Sequence, residues 1–113
     1  MSFDRIFQVW RYITSHRQLL LRSTRSERHD TRIDVLFKNV HVLKLPTDLE
    51  GLVIEEARGN DVNAIVTDTG FQPAEDDHIY LLHGVNYRGY VIAGSVTTHE
   101  DQGEYDDPSP LDP

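Results

Sequence analysis

The fold turns on "QLLLRS" (residues 18–23), the polar loop "TRSERHDT" (24–31) and "RIDVLFKNVHVLKL" (32–45). In the last of these Ile33, Val35 and Phe37 alternate with Asp34 and Lys38, the period-two pattern of a strand with one buried face. Two such runs joined by a polar loop form a hairpin, and its tip carries the arginines. Beyond Lys38-Asn39 the apolar phase moves to even numbers, Val40 and Val42, so a bulge or corner is expected there.

Outward from this hairpin the same reasoning finds further strands. The N-terminal Phe3, Ile6, Phe7, Trp10 and Ile13 fit a helical stripe, but "FQVWRYIT" is built of β-branched and aromatic residues and is assigned to a strand. Pro46 ends the hairpin's second strand. "TDLEG" carries the helix-start spacing Thr47-x-x-Glu50 but meets Gly51 at once, which reads as a turn. "LVIEEA" and "VNAIVTD" flank Gly59-Asn60, the chemistry of a type II′ hairpin loop. "HIYLLH" and "YVIAGSVTT" complete the set, with Gly94 marking a bulge or a close backbone approach.

The expected architecture is therefore all-β: a single small antiparallel β-sandwich or open barrel of about seven strands, with an α+β fold bearing an N-terminal helix as the alternative. A chain of 113 residues fits one domain, placed at residues 1–99. The remainder, 100–113, is rich in acids and proline and offers little to bury, so a disordered acidic tail is expected.

Charge narrows the function. Residues 1–45 hold nine Lys or Arg against four acids, whereas residues 46–113 hold two arginines against fifteen acids, within a net of −8. The absence of cysteine excludes disulfides, thiolate metal sites and thiol catalysis, and fits a cytoplasmic location. Asp4 and Arg5 interrupt any secretory signal, and no apolar run approaches a membrane span. Phosphate-loop, dinucleotide, nucleophile-elbow, zinc-protease and calcium-loop patterns are all missing, so no cofactor is expected.

Weaker constellations remain. Asp76, His78 and Tyr80 would share one face of a strand, but two candidate ligands do not make a metal site, and none is expected. Ser15 and His16 are chain neighbours, which in extended backbone point apart. The loop arginines, Arg25 and Arg28 at its tip, resemble a phosphate-binding finger, yet Glu27, Asp30 and the downstream acids argue against nucleic acid and favour neutralisation of the protein's own acidic parts.

The resulting expectation is a non-enzymatic protein-interaction module whose acids, Glu55, Glu56, Asp76 and Asp77 foremost, attract a basic protein partner. This shares the charge logic of small immunity proteins that neutralise basic toxins, a likeness of charge alone. The alternatives are a small hydrolase using Asp76, His78 and His16, His41 or His83, and a β-barrel that binds a small ligand.

Overall fold

The computed structural model describes residues 1–111. Its elements are β1 (Ser2–Ile13), β2 (Gln18–Ser23), β3 (Arg32–Lys38), β4 (Val42–Lys44), β5 (Asp48–Glu56), α1 (Asn60–Thr69), β6 (His78–His83), β7 (Arg88–Ala93) and β8 (Ser95–Asp101). The strands form one antiparallel sheet of eight in the order β4-β7-β6-β5-β1-β2-β3-β8, which is not closed. It is a single curled sheet and not a two-sheet sandwich. The curl is strong enough that Phe37 of β3 meets Tyr80 of β6, ring centroids 5.6 Å apart, although β2, β1 and β5 lie between those strands in the order.

The corner expected at Lys38-Asn39 shapes this curl. Asn39 takes φ 55, and β3 continues through it towards β4, while β7 continues through Gly94 into β8. Lys38 pairs with Ser95 and Val42 with Ile92, so an extra residue on the β3–β4 side is accommodated at the bend. Gly94 N–H donates to the Lys38 carbonyl at 2.9 Å, and a Cβ on Gly94 would lie 3.2 Å from the Cβ of Asn39. Glycine at this position lets the two bent strands touch.

Strand alternation then separates two apolar sets. On the concave face Phe7, Leu19, Leu21, Val35, Phe37, Leu49, Leu52 and Leu82 are buried with Ile33, Ile54 and Tyr80. Each of the fully buried aliphatic or aromatic side chains contributes about 1.5–3 kcal/mol. A smaller set, Ala57, Ile79 and Ile92, packs with Ile65, Val62 and Val66 of α1 and with Phe71.

α1 corrects the reading of Gly59-Asn60 as a hairpin loop and of "VNAIVTD" as a strand. Val62, Ile65 and Val66 recur at helical spacing and cover the second apolar set, and Gly70 in the left-handed region closes the helix with its N–H on the Val66 carbonyl at 2.8 Å. "TDLEG" is likewise no turn: Leu49 is wholly buried and pairs with Phe7, so β5 begins at Asp48. The segment 2–13 is the strand expected, and the α+β alternative with an N-terminal helix does not hold.

The expected disordered tail is not seen. β8 crosses residue 100 and ends at Asp101, and the chain beyond it turns back onto the arginines of β2 and β3. The physical reason is hydrogen bonding to buried guanidinium groups, which a count of apolar residues overlooks. Residues 112 and 113 lie outside the described residues. Among the described residues no helix is long and apolar enough to cross a membrane.

Candidate functional site: an arginine face and an acidic lobe

The convex side of β2 and β3 holds charge where the concave side holds the core. Arg22 and Asp34 are directly paired across the two strands, Nε to Oδ1 at 2.7 Å and Nη2 to Oδ2 at 3.1 Å, with side chains 2 % and 1 % exposed. The third guanidinium nitrogen donates to the Tyr105 carbonyl at 2.8 Å, and the Trp10 ring stands 5.2 Å from the guanidinium carbon. Trp10 in turn meets the Tyr105 ring edge-on, centroids 6.4 Å apart.

Arg32 repeats the arrangement across the next strand pair, where it lies directly opposite Asp101. It grips Asp101 of β8 through two bonds of 3.0 and 2.9 Å and donates to the carbonyls of Glu104 and Asp107 at 3.0 and 2.7 Å. Arg25, from the loop tip, reaches the Gln102 carbonyl and the Glu104 carboxylate, each at 3.0 Å. The C-terminal segment is therefore a strap, held chiefly by its backbone carbonyls, and Ser109 within it is buried. The reading that these arginines neutralise the protein's own acidic part fits Arg25 with Glu104 and Arg32 with Asp101, whereas Arg22 takes Asp34 of its own hairpin and meets the strap only at the Tyr105 carbonyl.

The Arg32 bond, followed by the Gly103 N–H and the charges of Arg32 and His99, holds the Asp101 carboxyl down at about 2, against an ordinary value of 3.8. A folded-state pKa below the unfolded value means stability that is present above about pH 4 and is lost as pH falls towards 2. Acid titration of the unfolding free energy is expected to show this loss, and Asp101→Asn is expected to flatten it. An identical acid limb in the variant would show that Asp101 does not carry it.

The four acids named from the sequence do not share a face. Glu55 and Glu56 are consecutive in β5 and point to opposite sides of the sheet. Glu55 Oε1 lies 3.5 Å from His83 Nε2, and Glu56 Oε1 lies 3.0 Å from His78 Nδ1. Asp77 has a side chain only 3 % exposed: it accepts the Ala74 N–H at 2.8 Å and faces His41 Nε2 at 3.3 Å. Asp76, beside it, is exposed.

His41 is fixed from both sides. Its Nδ1 lies 3.2 Å from Arg17 Nη1, a group that only donates, so Nδ1 accepts and Nε2 carries the proton towards Asp77. Its ring stacks on Phe71 at 5.1 Å. His41, His78 and His83 are thus dispersed among separate carboxylate partners, and the described residues contain no group of three or more metal-ligating side chains able to hold an ion.

Around α1 the structure adds acids that the sequence reading did not single out. Asp61 and Asp68 are exposed and seven residues apart, two helical turns, which sets them on one helix face, and Glu75 is exposed in the loop that follows. Asp68 accepts the Tyr90 hydroxyl at 2.6 Å and sits 3.6 Å from Lys44 Nζ, and the first of these contacts, followed by the lysine charge, lowers its pKa. The same seven-residue spacing was present in the sequence, but reading the segment as a strand concealed its meaning. No protein-family model, curated protein or solved structure matches the chain.

Proposed function

We propose that the chain is a non-enzymatic interaction module that offers an acidic lobe to a basic protein surface. One observation supports this above others: the arginines of the hairpin are paired internally, and the segment 55–77 keeps an excess of acids even with Lys44 beside Asp68. Arg22, Arg25 and Arg32 are engaged by Asp34, Asp101, Glu104 and the strap, whereas residues 55–77 hold seven acids against the single cation Arg58. Asp61, Glu75 and Asp76 in that lobe are exposed. A field of one sign steers a partner of opposite sign and repels nucleic acid.

Asp77 belongs to the support of this lobe, since its carboxylate is buried against His41. The variant that tests the reading is accordingly Asp61→Asn/Glu75→Gln/Asp76→Asn, whose folding stability is expected to stay within about 0.5 kcal/mol of wild type. A partner recovered from the native host at low salt should be released as salt approaches about 0.5 M, where screening is short-ranged. Its association with the triple variant should be about tenfold slower, and with Arg25→Gln nearly unchanged. A partner held equally by the triple variant, or held regardless of salt, would refute the reading.

A further inference from the structure

A cleft of about 550 Å³ lies beside the arginine loop, and apart from Arg22, which the strap already holds, it uses residues that neither the strap nor the acidic lobe engages. One part of its wall is cationic: Arg5 and Arg28, with His29, Ser23 and Ser26 beside them as hydrogen-bonding groups. Another part is apolar: Ile6 and Val85 line it, and they are 63 % and 75 % exposed, two of the most exposed large apolar side chains in the protein.

The cationic wall is built. Arg5 is 7 % exposed in its side chain, and its guanidinium donates to Ser23 Oγ at 3.1 Å, to Thr31 Oγ1 at 2.9 Å and, through Nη2, to the Thr24 and Thr31 carbonyls, all neutral acceptors that leave its charge uncompensated. The carboxylate that approaches it, Glu100, remains 3.9 Å away. Loss of water around this cation lowers its pKa, ahead of the opposing pull of Glu100 and Asp30. Arg28 is held in place by a tight tip: Ser26 N–H donates to the His29 carbonyl at 2.8 Å, and Ser26 Oγ accepts the Arg28 N–H at 3.2 Å. That fixes the backbone of Arg28 and leaves its guanidinium exposed at the cleft.

We propose that this cleft binds a single-headed amphiphilic anion, its carboxylate or phosphate head between Arg28 and Arg5 and its aliphatic body against Ile6 and Val85. A planar guanidinium matches either head through paired N–H donors, and burial of a short aliphatic body removes both exposed apolar side chains from water. Asp4 and Glu50 also line the cleft and select against ligands with anionic charge spread along their length. That selection separates this site from a polyanion groove. The residues differ from those of the acidic lobe, so failure of one reading leaves the other standing.

The test is an amide-shift titration of the full-length protein with octanoate, octyl phosphate, octyl glucoside and inorganic phosphate. Octanoate or octyl phosphate should give saturable shifts at Ser23, Ser26, His29 and Val85, and their relative affinities identify which head is preferred. Octyl glucoside and inorganic phosphate should each bind at least about tenfold more weakly than the better anion, since each lacks half of the recognition. Arg28→Gln should weaken binding about tenfold, and Val85→Ser severalfold. Both positions are exposed, so both variants should fold. The proposal fails if neither anion saturates, if octyl glucoside or inorganic phosphate binds as tightly as the better anion, or if Arg28→Gln leaves affinity unchanged.

Discussion

Asp34→Ala is expected to lower the unfolding free energy by about 3–5 kcal/mol, the range for breaking a buried ion pair from one side. The substitution leaves Arg22, with a side chain 2 % exposed, without the carboxylate that accepts two of its N–H bonds. The remaining bond to the Tyr105 carbonyl and the Trp10 ring cannot neutralise the charge. For a domain of ordinary stability this is a large fraction of the total, and urea unfolding should show it directly. The double variant Arg22→Met/Asp34→Leu should recover most of the loss, because removing both charges also removes the cost of burying them. If Asp34→Ala is within about 1 kcal/mol of wild type, the pair is either solvated or redundant, and the arginine face does not depend on it.

That pair also shows how much of the protein was legible in its sequence. The run "QLLLRS" and the alternation in "RIDVLFK" gave the hairpin, and the alternation gave Ile33, Val35 and Phe37 as one buried face, which Leu19 and Leu21 join in the structure. The same alternation put Asp34 on the opposite face, where the structure places Arg22 and Arg32 as well. Nothing in that pattern says that the opposite face is also covered, because its cover comes from some seventy or more residues away along the chain, at Tyr105 and Asp107. The cover is made by main-chain carbonyls, which every residue carries and no composition reveals.

The error at α1 has a different origin. "VNAIVTD" is rich in β-branched residues, and propensity favours a strand, but Val62, Ile65 and Val66 line one side only when wound at 3.6 residues per turn. Packing on Ile79 and Ile92 outweighed propensity. The candidate site inherited that error, since Asp61 and Asp68 become neighbours on a surface only once the helix is recognised. Conversely, the acids chosen from the sequence were adjacent in number, and in a strand adjacency places Glu55 and Glu56 on opposite faces.

The strap carries the remaining large prediction. Ending the chain after Asp101 should cost about 3 kcal/mol and lower the melting temperature by roughly 10 °C or more, in place of the negligible effect a disordered tail would have. The truncation keeps the Arg32–Asp101 pair but deletes the Tyr105, Glu104 and Asp107 carbonyls bonded to Arg22 and Arg32, the Tyr105 ring beside Trp10, and the buried Ser109. Water replaces some of these acceptors, which is why the expected cost is well below the sum of the individual bonds. A second variant separates the strap's backbone from its charge. Glu104→Gln/Asp106→Asn/Asp107→Asn keeps every carbonyl that grips the arginines and should cost less than half as much, whereas a stabilisation due to carboxylates alone would make the two variants equal. Deleting the strap should also uncover the arginine face and remove the carboxylates of Glu104, Asp106 and Asp107 beside it, so the truncated protein should be retained on an anionic resin such as heparin at salt where the full chain passes through. An unchanged melting temperature together with unchanged retention would mean that the strap does not dock in solution.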